Sequence, residues 1–553
     1  MQRAIHNQTR TFNTLLFFSF FAIVIGIFCS IFVQEIGAPD VVWDDAYMFV
    51  RYAHNFLHEG QISWNPQGPA TFGLTSMLYW AVMVVPIHTL TESTRVTAIM
   101  ASFLSGCLFL LLTIWMIMRH TAAGPMGKRL MVLLMLVLIT YPREAISEHF
   151  LTGMDTMFAL AGVTAYILLA KWHEQSPSLA SVCLVGIAGA MLASIRPELL
   201  LYAVMVPSIC FLFAQDARSR WTAIGVGTVT IAVLLLMVGA AARYLNSPLP
   251  LPFYAKGLKL YGDAFYAVYA FDSFVYAKEF VVYYNGLLAL ILLGVLYHPK
   301  RWWQGLTPAD RGILGAAILF SLYFLLLVTP IMGMFSRFYY PLLPVILFLA
   351  VRTYSIFADK LAGLKNDIHS YLSHQATLPA LLLVLIIIFT PYLYQVRYLV
   401  KMPRYPLDVY AFYLSDSRVR HLWFELNQFS RLPDEVTMAT TEIGLVGVMN
   451  PDKVVIDLAG LNEREIAHNG FSAQWLLQTH QPDLIYLPFP HYQTMIGELL
   501  NNPQFQAEYT YFSAQQLHRA MGIALSIDSP YYAEMLDIVQ SQYAGDPVSL
   551  RTE

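Results

Sequence analysis

Over its first 400 residues the chain alternates long apolar runs with short polar loops. The runs predict about 11 transmembrane helices, over about 13–34, 96–118, 130–141, 156–171, 179–195, 199–214, 221–242, 282–297, 312–330, 338–357 and 378–399. The first run is long enough to cross and lacks a small-x-small cleavage pattern, so it reads as a span rather than a leader. A further apolar run at about 72–90 breaks the alternation. If it crossed, Arg119, Lys128 and Arg129 would lie on the outer side. Read instead as a juxtamembrane helix on the outer face, it leaves every basic loop on the cytoplasmic side: Lys171, Arg218 with Arg220, Lys300 with Arg301 and Arg311, and Arg352 with Lys360 and Lys365. Arg3 and Arg10 then hold the N-terminus inside, and an odd number of spans leaves the C-terminal tail outside.

Beyond about residue 400 the pattern changes to short apolar stretches punctuated by Pro, Asn and Gln. "KVVIDLAG", "PDLIYLP" and "MGIALSI" predict buried strands, and "NGFSAQWLLQTH" predicts a helix between them. The organisation expected is a polytopic α-helical membrane domain over 1–399, with an outer-face loop at 36–94, followed by an extracytoplasmic α/β domain over 400–553.

Composition sharpens this. Of 553 residues, 57% are hydrophobic and only 12% charged, about half the charge of a soluble domain, so much of the surface must face lipid. A net charge of −3, with no basic stripe, excludes nucleic acid as a partner. The four cysteines, Cys29, Cys107, Cys183 and Cys210, lie inside apolar runs without CxxC spacing and predict neither a disulfide nor a zinc site.

The expected outer loops collect the candidate chemistry. "VVWDDAYMFVRYAHNF" carries the adjacent carboxylates Asp44 and Asp45. "YPREAISEHFLTGMDT" carries Glu148, His149 and Asp155, "SIRPE" carries Arg196, "LPFYAKGLK" carries Lys256 and Lys259, and "MFSRFYYP" carries Arg337. Carboxylates and cations converging on one face suit transfer from a lipid phosphate, which needs cations for the phosphate and a base for a reacting hydroxyl. Each has a plainer role available. The acidic pair serves equally as a helix cap, Arg196 as a snorkelling helix-end cation, and Arg337 as an arginine packed among aromatics. Glu148, His149 and Asp155 lack the spacing of a strong metal motif.

The ordered motifs "DDAYMFVRYAHNFLHEGQISWNPQGPATFGLTSMLYW", "LTGMDTMFAL", "IRPELLLYA", "LPFYAKG", "SRFYYPLLPVI" and "TEIGLVGVMNPDKVVIDLAGLNEREIA" resemble the GT-C superfamily of polyprenyl-phosphate-sugar glycosyltransferases. The likeness is greatest to the mycobacterial β-arabinofuranosyltransferase family and runs over nearly the whole chain. It implies a GT-C fold and an inverting enzyme working at the outer face of a bacterial inner membrane. The implied donor is a sugar, arabinofuranose in that family, on a polyprenyl phosphate, and the implied acceptor a cell-envelope glycan or glycolipid. By match to the motif's acidic pair, Asp44 would be the general base, and Asp45 would orient the acceptor or hold a divalent cation where one is used. Arg337, Lys256 and Arg196 would bind the donor phosphate. Tyr47, Arg51, Tyr52 and Asn65, with Glu148 and Asp155, would shape the sugar and acceptor pocket. The chain departs from the family at Asp155, often Glu there, and at "ATFGLTS" in place of an "EGYTN"-like turn. Sugar and acceptor therefore stay open, and transfer to lipid A or to protein remains an alternative.

Two other classes fit many spans with polar loops. A lipid-linked-sugar transporter would show paired repeats and helices broken at the membrane midplane, and neither is legible. A catalytically retired carbohydrate-binding relative would have little need of the acidic pair.

Overall fold

In the computed structural model the described residues are 42–122, 128, 132, 149–257, 273–327, 336–371, 430–487, 493–512 and 522–543. The chain divides into two compact units. A helical unit takes residues 1–41, 99–234 and 272–400; an α/β unit takes residues 42–98, 235–271 and 401–553. The acidic loop and the Lys256 segment thus fall in the same unit as the C-terminal domain.

Among the described residues four helices are long and apolar enough to cross a membrane: Thr94–His120, Ala217–Tyr244, Pro308–Leu326 and Tyr340–Phe357. These agree with four expected spans and make the protein a multi-pass membrane protein. The expected helix at 156–171 is present as Thr156–Gln175. Leu179–Ile195 and Pro197–Phe213 are apolar but shorter than the usual span. At 1.5 Å per residue each is about 26 Å long, against a hydrocarbon core of about 30 Å. The single span expected at 282–297 is instead a bent pair, Phe274–Tyr283 and Asn285–Tyr297, turned by 83°. The turn falls where the buried Tyr284 leaves helical geometry, just before Asn285 and Gly286, two poor helix formers. The spans expected at 13–34 and 378–399, and all but residue 132 of 130–141, lie outside the described residues.

Inside the helical unit, Leu200–Phe213 and Pro308–Leu326 pack closely because Gly312 and Gly315 carry no Cβ. A Cβ on Gly312 would come within 3.0 Å of the Val206 carbonyl. Thr307 and Asp310 form a capping box at the start of the second helix. Asp310, fully buried, also accepts from Lys171 at 2.7 Å and from Arg352 at 3.0 Å. Glu174 completes the network by pairing with Lys171 and accepting from the Thr307 hydroxyl and the Ala309 N–H.

The α/β unit is built on a five-stranded mixed sheet of order β2-β1-β3-β5-β4. The strands are β1 Met438–Thr440, β2 Val455–Asp457, β3 Leu484–Leu487, β4 Tyr509–Phe512 and β5 Gly522–Ser526. β2, β1 and β3 are parallel, with Ala439 opposite Ile456 and Ile485; β3, β5 and β4 are antiparallel. Ala439, Ile456, Ile485 and Ala524 of the sheet and Leu476, Leu477, Leu499 and Phe505 of its covering helices form one core. The strands expected from "KVVIDLAG", "PDLIYLP" and "MGIALSI" are β2, β3 and β5. β1 and β4 were not anticipated.

The acidic helix, Asp44–Glu59, belongs to this unit. Its first turn carries Asp44 and Asp45, its last turn carries His58, and Gly60 ends it in the left-handed conformation (φ 72°). Beside it runs Met77–Thr91, the helix read as juxtamembrane, with ring contacts Phe49–Tyr79 and Phe56–Trp80, each 5.4 Å between centroids. A π-turn at Trp80–Val84 interrupts this helix directly before Pro86, which has no N–H to continue the ladder.

Candidate active site

The acidic helix is fixed to the α/β domain chiefly through backbone atoms. Its own N-cap is Trp43, which makes no side-chain capping bond. Asp44 instead caps a different helix, Gly444–Met449: its two carboxylate oxygens accept the N–H of Leu445 at 2.7 Å and of Gly444 at 2.9 Å. This approach requires glycine at 444, because a Cβ there would overlap the Asp44 carbonyl oxygen at 1.8 Å. Burial pushes the half-buried Asp44 carboxyl up to about 6; the Leu445 N–H opposes that rise and neighbouring Asp45 adds to it. Glu442, two residues before the capped helix, is pushed well above the carboxylate range by burial, then by Asp44 and Asp45. Asp457, at the end of β2, is fully buried and raised to about 7 by burial, although it accepts from Ala459 and Asn462.

About two turns further along the acidic helix, Arg51 is 1% exposed and all five of its donors are engaged. Nε donates to the Trp64 carbonyl at 2.8 Å. Nη1 donates to the Gly447 carbonyl and to that of Asn450 at 2.8 Å, and Nη2 to that of Lys453 at 2.8 Å and to Asn65 Oδ1 at 3.2 Å. Arg51, expected in the sugar pocket, therefore has no donor left for a ligand and works as an anchor. Burial lowers its pKa to about 9, which leaves it charged at neutral pH. Tyr52, also expected there, is fully buried; its hydroxyl donates to Asn462 Oδ1 at 2.9 Å and accepts from the Gly73 N–H. Tyr47 is buried on the same helix.

Asn65 does reach a cavity. Its Oδ1 also accepts the Val455 N–H at 2.8 Å, which ties the loop to β2. The cavity, of about 140 Å³, is lined by Trp64, Asn65, Thr71, Asn462, Glu463 and Arg464, among others. The Leu251 N–H donates to the Phe72 carbonyl at 2.7 Å, joining the "LPFYAKG" segment to the "ATFGLTS" turn. Lys256 lies in the helix Leu251–Gly257, which packs on Arg464–Asn469 through Tyr254 and His468, 4.2 Å between ring centroids. The Lys256 side chain is outside the described residues.

The helical unit holds the remaining candidates. Arg196 ends the helix Leu179–Ile195, pairs with Glu198 at 2.7 Å and lies 5.1 Å from the Phe338 ring centroid. Its Nη1 is buried and makes no hydrogen bond. Arg337 lies 5.3 Å from the same centroid, so two guanidiniums share one aromatic ring. Asp155 is buried at the start of Thr156–Gln175, and His149 stacks edge-on against Tyr340 at 4.3 Å. Glu148 lies outside the described residues.

Sequence reasoning did not single out Glu442, Asp457, Asn462 or Glu463. The available signal was the pair Gly444 and Gly447 in "TEIGLVG". A Cβ on Gly447 would sit 2.8 Å from Arg51 Cδ, so both glycines mark close approach. Among the described residues no three His, Cys, Asp or Glu side chains are grouped so as to hold a metal ion.

Residues 413–533 match a family described as a domain of unknown function, DUF8728. No curated protein matches the chain. Solved structures similar to it include ArnT from Cupriavidus metallidurans in the apo state, at 13% identity and a TM-score of 0.49, covering 92% of this chain and 97% of that one. The same protein bound to undecaprenyl phosphate matches at 13% identity and a TM-score of 0.48, covering 92% and 98%.

Proposed function

We propose that the protein is an inverting GT-C-type glycosyltransferase that moves a sugar from a polyprenyl phosphate to a hydroxyl of a cell-envelope glycan or glycolipid. The observation that carries this reading is Asp44: a carboxylate in the acidic motif, held by two backbone N–H groups and raised to about 6. A general base works best with a fixed orientation and a pKa near the working pH, and contributes about 10²–10⁴-fold. Two further features support the reading. One is the order of the GT-C-like motifs along the chain. The other is the pair of guanidiniums at Phe338, one with a buried donor unused, which suits a phosphate.

In the proposed step the acceptor oxygen attacks the anomeric carbon from the face opposite the phosphate. Its proton passes to Asp44, a new carbon–oxygen bond forms, and the anomeric carbon–phosphate oxygen bond breaks with its electron pair leaving on the phosphate. Arg196, Arg337 and Lys256 are assigned to the growing phosphate charge. Asp45 orients the acceptor, and the cavity beside Asn65 receives a sugar unit of donor or acceptor. Arabinofuranose is the leading donor sugar, with aminoarabinose and mannose as alternatives. The setting proposed is the outer face of a bacterial inner membrane.

The test is turnover of purified protein with polyprenyl-phosphate-linked arabinofuranose, aminoarabinose or mannose and matching acceptors. Asp44→Asn should lower kcat about 10²–10⁴-fold with the product anomer inverted. Equal turnover of wild type and Asp44→Asn overturns the base assignment. Failure to consume any lipid-linked donor overturns the enzyme reading.

A further inference from the structure

The helical unit contains a second cavity, of about 450 Å³, which the proposed reaction does not use. Its floor is apolar: Tyr166, Val185, Val206, Cys210, Ala223 and Val226 line it. Its rim is formed by the loop at 213–219 and the segment 304–311. The end of Thr156–Gln175, the end of Leu200–Phe213 and the starts of Ala217–Tyr244 and Pro308–Leu326 therefore meet at one end of the helices.

Three observations say what would occupy such a cleft. The first is charge. Lys171 and Arg352 are balanced by Glu174 and Asp310. The flanking helix starts still carry Arg218, Arg220, Lys300, Arg301 and Arg311 against Asp216. The second is an open donor. Arg311 lines the cleft, its guanidinium 5.0 Å from the Phe213 ring and 4.9 Å from the Trp303 ring. One Nη donates to the Trp303 carbonyl, while the buried Nε makes no hydrogen bond. The third is depth. Trp172, Trp221, Trp302 and Trp303 cluster at this end, with Trp221 71% and Trp303 42% exposed. Tryptophans gather at the headgroup level of a bilayer. An apolar slot between membrane helices, opening at headgroup depth under an excess of cations, matches an acyl chain below and an anionic headgroup above.

We propose that this cleft binds one anionic glycerophospholipid, its phosphate against Arg311 and an acyl chain along the Ala223–Val226 floor. The basic excess places the site at the end expected in the cytoplasm, and the inference is independent of the transferase reading. The test is native mass spectrometry of the full chain released from detergent and titrated with phosphatidylglycerol, phosphatidylcholine or undecaprenyl phosphate. Wild type should retain one phosphatidylglycerol in preference to phosphatidylcholine. Arg311→Gln should weaken that retention about fivefold, and Ala223→Phe, which fills the floor, should abolish it. Equal retention of the two phospholipids by wild type overturns the proposal, whether or not the variants fold. So does unchanged phosphatidylglycerol retention in Arg311→Gln, or displacement of phosphatidylglycerol by stoichiometric undecaprenyl phosphate, which would assign the cleft to a polyprenyl lipid.

Discussion

Each unit buries a cation, Lys171 in the helical unit and Arg51 in the α/β unit, and the two are neutralised in opposite ways. In the helical unit Lys171 and Arg352 meet carboxylates, Asp310 and Glu174, and helix caps are woven into the same network. In the α/β unit Arg51 meets no carboxylate within bonding distance, and four of its five acceptors are backbone carbonyls. Helices keep their carbonyls for their own ladders, so a cation among them needs an acidic side chain. A loop and a helix end offer free carbonyls, and these solvate a guanidinium much as water would. Each solution breaks differently.

The largest effect should come from Arg51→Leu, which strands four carbonyls and Asn65 in a buried seam. A loss of about 5 kcal/mol or more is expected. Hydrogen exchange should rise across β1 and β2 while the helix Pro308–Leu326 stays protected; uniform exchange across both units would break the contrast. Asp310→Asn should follow, at about 3–5 kcal/mol, by leaving the buried Lys171 with Glu174 alone and the half-buried Arg352 with only the Gly305 carbonyl. Adding Lys171→Met should recover part of that loss, whereas no second substitution of one side chain can rescue Arg51→Leu. Thermal unfolding of the single and double variants measures the recovery.

Gly444→Ala is smaller in stability, about 1–3 kcal/mol from overpacking. It pushes Asp44 off its two N–H partners, so kcat should fall with little change in KM. A KM effect alone would separate the clamp from the chemistry. The smallest effect is on pH. Asp44 and Asp457 have folded pKa values of about 6 and about 7, above the ordinary 3.8. The folded state therefore binds more protons than the unfolded state between about pH 4 and 7, and stability falls as pH rises through that window. Tm should drop by a few degrees from pH 5 to pH 8. Asp457→Asn should flatten that slope.

The long helices were legible because spanning runs are continuous in sequence, and β2, β3 and β5 because each sits in an unbroken apolar stretch. β1 is three residues, Met438–Thr440, and β4 is the alternating "YTYF"; neither makes a run. The bend at Tyr284 was hidden because apolar character continues through it. The acidic motif stood out in the sequence, but the partners of its side chains did not. Three of Arg51's acceptors lie 396, 399 and 402 residues along the chain, and Asp44's N–H partners 400 and 401. Partners of that kind leave no mark in local spacing beyond the glycines that admit them.

The clamp on the acidic helix grips main-chain atoms: the carbonyls of Gly447, Asn450, Lys453 and Val455 and the amides of Gly444, Leu445 and Val455. Apart from the glycines, the side chains at those positions are spectators to the grip. A domain held in this manner is free to drift in sequence at those positions while the carboxylates of the acidic helix stay where they were set. A differing sequence keeps the same grip wherever it keeps a like-shaped turn with glycines at 444 and 447.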